Sequence, residues 1–104
     1  MTISLRDPNR KPTHPGAVIR EDVLPDMNIT QADFAARLGV SRIAVTTLIH
    51  EHKALTPDMA FRLERLLGTK AEVWLGMQQA LDLFETRQNS RRFAGIERFK
   101  AATV

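Results

Sequence analysis

The sequence predicts an all-α fold of five short helices. Three observations carry the prediction. Apolar residues recur at spacings of three and four, the period of an amphipathic helix. Each such run opens on a capping residue, and most close on Gly or Pro. No alternating run survives between the caps, so no strand is predicted. The 104 residues suit one domain, and 43% of them are hydrophobic, enough to bury a core.

Residues 1–13, MTISLRDPNRKPT, hold two prolines and no periodicity, and are expected to form a flexible arm. The first helix opens at His14-Pro15-Gly16. His14 caps it, and Pro15 sits in the first turn, where its missing N–H is not needed. Ile19 and Val23 share a face, and Pro25 is expected to end the helix. The second helix runs from Gln31 to Leu38. Thr30 caps it and Asp33 can answer as in a capping box, while Ile29 and Phe34 can pack as a hydrophobic staple. Gly39 closes it in a left-handed turn. Ser41 caps the third helix, Arg42 to about Ile49. Thr56-Pro57-Asp58 opens the fourth, with Met59, Leu63, Leu66 and Leu67 as its buried stripe and Gly68 as its end. Thr69-Lys70-Ala71-Glu72 is a capping box for the fifth. Val73, Met77, Ala80 and Phe84 follow at helical spacing, with Trp74 and Leu81 beside them. Most of this stripe is expected to be core. Trp74, Met77, Leu81 and Phe84 are also candidates for a dimer contact, since a small domain rarely covers so long a helix alone. The domain is thus drawn over residues 14–87, and residues 88–104 form a basic tail.

Two helices joined by a tight Gly turn are the helix-turn-helix signature. Only Val40 separates Gly39 from the cap at Ser41, so the third helix must leave at a sharp angle. Ala35 supplies the small residue at the crossing, and Val45 and Leu48 anchor the second helix of the pair on the first. With Ser41 at zero and steps of about 100°, Val45, Leu48 and Ala44 cluster on one face. Arg42, Ile43, Thr46 and Thr47 fall on the other, at about 100° to 240°. An outward Ile43 forgoes about 1.5–3 kcal/mol of burial unless a thymine methyl or a partner surface covers it. Arg42 can make a bidentate contact to guanine, and Thr46 and Thr47 can reach base edges or phosphate. Gln31 and Ser41 begin helices whose free N–H groups suit phosphates, and Lys53 is a third candidate phosphate contact. The same helix pair also fits a protein-interaction module that never meets DNA.

Other chemistry finds little support. The chain has no cysteine, which excludes disulfides, thiolate zinc sites and a Cys nucleophile and fits a reducing compartment. His50 and His52 lack a third ligand at a workable spacing, so no metal site is expected. No catalytic constellation stands out, and no cofactor or enzyme activity is predicted. No apolar run approaches about 18 residues, so no membrane span is expected, and a polar N-terminus points to the cytoplasm. The net charge of +3 sits at the ends. Arg6, Arg10 and Lys11 face Asp7 in the arm, and Arg91, Arg92, Arg98 and Lys100 face Glu97 in the tail. The helical stretch between them is slightly acidic, with 8 cations and 10 anions over residues 14–90.

The segment from Thr30 to Arg42, TQADFAARLGVSR, resembles the helix-turn-helix of phage-repressor-like (XRE-type) regulators. Residues 14–30, HPGAVIREDVLPDMNIT, resemble the opening stretch of HigA-type antitoxins, and residues 54–83 resemble their "ISPEMALRLEKALG…WLxLQxxYDL" stretch. The likeness covers roughly residues 14 to 87. It departs at Ala17, where the family usually has Glu, at His50-Glu51, which replaces a common Asn-Gly, and at Leu81, which replaces an aromatic residue. The resemblance implies a homodimer that sets two recognition helices on a palindromic, double-stranded operator upstream of its own operon. It also implies a protein partner, a HigB-type toxin that cleaves mRNA on the ribosome. An orphan regulator without a toxin is the alternative within the family.

Overall fold

The computed structural model describes residues 9–100. Five helices appear in the predicted order, with no strand among the described residues. Helix α1 covers residues 15–27, α2 Gln31–Leu38, α3 Arg42–Ile49, α4 Pro57–Leu67 and α5 Ala71–Gln88. A 3-10 turn, Ser90–Phe93, follows in the tail. Residues 1–8 and 101–104, which include Arg6 and Asp7 of the predicted arm, lie outside the described residues.

The caps act locally as the sequence predicts. His14 Nδ1 accepts from Gly16 N at 2.9 Å. The hydroxyls of Thr30, Ser41 and Thr56 accept from the third residue of their helices at 3.1–3.2 Å. Gly39 and Gly68 adopt positive φ at the ends of α2 and α4. Ile19, Phe34, Val45, Ile49 and Leu63 are the innermost side chains, gathered from α1, α2, α3 and α4. Trp74 of α5 closes the same core.

Three expectations change. Pro25 does not end α1. The helix widens into a π-turn over Ile19–Val23, in which Leu24 N–H reaches back to Ile19 O. The wider turn makes room for a ring that would otherwise collide with the preceding carbonyls, and Pro has no N–H to lose. The true stop is Asn28, left-handed at φ 54, whose N–H bonds to Leu24 O and Pro25 O. The second change concerns two capping boxes. At the start of α2 Asp33 does not answer Thr30 but pairs with Arg37 at 3.2 Å. At α5 the cap is not Thr69: Lys70 holds the cap position without a side-chain bond, and Glu64 Oε1 of α4 accepts from Ala71 N at 2.8 Å.

The third change is a rotation of α5. Its buried residues are Trp74, Gln78 and Leu81. Trp74 and Leu81 are each 3% exposed, so both are core, and neither is available as a dimer contact. Met77 and Phe84 are half-buried, while Val73 is 53% exposed. Gln78 is buried on the same face as Trp74 and Leu81. Its Oε1 accepts from Leu55 N at 2.8 Å, and its Nε2 donates to Asp82 at 2.9 Å. A polar residue can face a core when both ends of its amide are satisfied.

Candidate nucleic-acid interface

The candidate interface is built on α3 and the start of α2. Ala35, Val45 and Leu48 are buried between the two helices, and Gly39 turns the chain at φ 74, as the pair requires. This packing leaves Arg42 and Ile43 on the outside, with Ile43 75% exposed. Among the described residues Arg42 shows no ion pair or side-chain hydrogen bond, so its guanidinium is free to reach outward. Ser41 sits at the α3 N-terminus with its own hydroxyl engaged as the cap.

Gln31 and Thr46, fifteen positions apart, meet at 3.2 Å between Gln31 Oε1 and Thr46 Oγ1. Thr46 Oγ1 also lies 3.0 Å from Arg42 O. One hydroxyl hydrogen serves one acceptor. With that hydrogen on Arg42 O, the Gln31 amide turned about meets Thr46 through its NH2 group, and both contacts hold. Thr47 is back-bonded too, to Ile43 O and Ala44 O. The two threonine hydroxyls are therefore committed to their own helix and to Gln31, and each offers a ligand acceptor capacity rather than a free donor. Thr47 lines a small groove of about 150 Å³ together with Lys53, whose side chain is exposed.

Four residues from outside the pair fix where α3 points, and none of their contacts was predicted. Arg20 of α1 donates to Ile49 O at the end of α3 and pairs with Glu51 at 3.3 Å. Arg62 of α4 donates to Leu38 O at 2.9 Å and to Gly39 O at 3.3 Å, binding the turn itself, while Asp58 holds its Nε at 2.6 Å. His14 Nε2 lies 3.1 Å from Lys53 O in the loop after α3. With Nδ1 accepting from Gly16, Nε2 carries the hydrogen and donates. Gly16 lies so close to α3 that a Cβ there would stand 1.9 Å from Leu48 O. The loop at His50-Glu51 keeps the left-handed step that a glycine would make easy: Glu51 adopts φ 63, and its carboxylate reaches Arg20.

His14→Ala removes both the α1 cap and the tie to the α3 loop. A lost cap costs about 1 kcal/mol and a lost hydrogen bond about 1 kcal/mol, so stability should fall by about 2 kcal/mol in urea unfolding. His14→Asn keeps a cap acceptor but cannot reach Lys53 and should fall between the two.

No group of His, Cys, Asp and Glu able to hold a metal occurs among the described residues, and no described helix is long and apolar enough to cross a membrane. The helix-turn-helix family profile matches residues 19–74. Antitoxin HigA-1 of Vibrio cholerae is 36% identical over 83 residues, covering 80% of this chain and 78% of its own. The HTH-type regulator YbaQ of Escherichia coli is 36% identical over 87 residues, covering 84% and 77%. Among solved structures, antitoxin GraA in complex with its operator superposes with a TM-score of 0.81 at 32% identity, covering 94% of this chain and all of that one.

Proposed function

The chain belongs to the helix-turn-helix family and groups there with the HigA-type antitoxins, and from that premise we propose that it represses its own operon as a DNA-bound homodimer and neutralises a HigB-type ribonuclease toxin. The observation that carries DNA binding is the outer face of α3, where an unpaired Arg42 and a 75% exposed Ile43 stand side by side on a helix tied at its far end by Arg20 and at the turn before it by Arg62. Arg42 reads a guanine edge, and Ile43 covers a thymine methyl. Ser41 and Gln31 bring the N-termini of α3 and α2 to phosphates, with Lys53 beyond the far end of α3. Thr46 holds Gln31 in place, and Thr47 accepts rather than donates. The dimer forms through the exposed side of α5, where Val73, Ala80 and Leu83 adjoin Met77 and Phe84. Two recognition helices then meet two half-sites.

The test is binding to DNA from upstream of the chain's own gene, titrated against salt. Neutralising about six phosphates should cost about 10³-fold in affinity between about 50 and about 200 mM salt, from counterion release. A flat response without a footprint would favour an interaction module with a vestigial helix-turn-helix. Toxin neutralisation is tested by co-expression with the neighbouring reading frame, where loss of growth arrest is expected. Replacing Arg42 by alanine should cost about 1–3 kcal/mol of affinity and relax preference at one base pair per half-site, read in a competition assay over single-base operator variants.

A further inference from the structure

The tail presents an exposed apolar edge. Phe93 is 38% exposed, and Ile96 and Phe99 are each 76% exposed, at intervals of three residues. Arg91, Arg92, Arg98 and Lys100 surround them. At the other end of α5 lies an open groove of about 370 Å³, walled by Val18, Val23 and Met27 of α1 and by Val73, Trp74 and Met77 of α5. Asp26 lines it, and two further exposed carboxylates, Asp22 and Glu72, lie on the two helices that wall it. None of these three carboxylates has an ion pair among the described residues.

We infer that the segment Arg91–Lys100 of one protomer docks in this groove of the partner, so that the dimer is an exchange of C-terminal arms. The apolar edge meets the apolar walls, and the cations meet these carboxylates. Helix geometry favours the partner over the same chain. The tail leaves α5 at Gln88, about 21 Å along the helix from Trp74, and would have to double back to reach its own groove. An antiparallel, two-fold pairing of α5 helices instead brings the end of one beside the start of the other. Val73 and Met77 belong both to the groove and to the side of α5 assigned to the dimer, so the two surfaces are continuous. The inference rests on the α5 dimer proposed above.

Trp74 is the chain's single tryptophan, so its indole N–H gives one cross-peak in a ¹⁵N–¹H spectrum and reports the groove. The measurements are that peak and the dimer dissociation constant from sedimentation equilibrium, on the full chain and on substituted full chains. Ile96→Glu with Phe99→Glu should weaken the dimer at least tenfold and shift the peak. Leu83→Glu, which strikes the α5 pairing and leaves the tail intact, should give a monomer whose peak matches that of the tail variant. An unchanged dissociation constant and peak in the tail variant would overturn arm exchange while leaving the α5 dimer standing. A monomeric Leu83→Glu chain that keeps the wild-type peak would place the tail in its own groove and overturn it as well. A Leu83→Glu chain as dimeric as wild type removes the α5 dimer and the exchange together. A shift caused by Ile3→Glu with Leu5→Glu, but not by the tail variant, would give the groove to residues 1–8 and overturn the proposal.

Discussion

Gly16→Ala is expected to lower stability by about 3 kcal/mol or more, the upper end for overpacking, and to remove operator binding with it. An ideal Cβ at this position stands 1.9 Å from Leu48 O, 2.8 Å from Leu48 C and 3.1 Å from His14 Nδ1. The obstructing group cannot rotate away, because it is backbone. Leu48 O also accepts from Glu51 N at 3.0 Å, so moving it breaks the turn that ends α3. The chain must instead part α1 from α3. That separation pulls Arg20 off Ile49 O and His14 off Lys53 O, two of the ties that orient the recognition helix. Small domains hold about 5–15 kcal/mol in total, so the loss is a large fraction of the whole. Urea unfolding and an operator footprint check it. A variant that loses under about 1 kcal/mol and still binds DNA would show that α1 can slide on α3 freely, which interiors packed to crystal density do not permit.

The contrast between Gly16 and Gly39 shows what a single sequence yields. Gly39 was legible because its reason is local: a helix ends, another cap follows two residues later, and positive φ is required between them. The reason for Gly16 lies 32 positions away at Leu48, and nothing around Gly16 hints at it beyond a nearby proline. The same division holds elsewhere. Thr30, Ser41 and Thr56 cap their own helices and were found. Glu64 caps the next helix from seven residues back, and Arg20 and Arg62 cap carbonyls 29 and 24 residues distant. Periodicity carries no trace of such pairs. The outer face of α3 was legible in its angles, and Ile43 lies where the wheel puts it. What the wheel could not show is that Thr46 and Thr47 spend their hydroxyls on carbonyls one turn back, because that choice depends on rotamers. Pro25 misled because an interior proline costs about 3 kcal/mol in a regular helix, and a π-turn is not a regular helix. On α5 the apolar residues span too wide an arc to read a face from them, and the buried Gln78, satisfied by Leu55 N and Asp82, gave no apolar signal.

Ile43→Glu separates fold from function most sharply. The side chain is 75% exposed, so stability should stay within about 0.5 kcal/mol of wild type. The sign of any change is favourable, since a carboxylate in the first turn of α3 opposes the positive end of the helix dipole. On the operator the same carboxylate stands among phosphates. It removes the apolar contact proposed with a thymine methyl and adds an anion where the site attracts cations, a penalty of about 1.5 kcal/mol at one half-site by the range for a mismatched base contact. In the proposed homodimer the change occurs twice, so the loss is about 3 kcal/mol, or more than about 100-fold in affinity. Ile43→Ala loses only the methyl contact and should weaken binding far less, which isolates the charge. Thermal unfolding read beside a titration of operator DNA distinguishes the outcomes. An Ile43→Glu chain that folds normally and binds normally would mean that α3 never enters the groove. The exposed isoleucine would then answer to a protein partner, and the DNA-binding role proposed for Arg42 would fall with it.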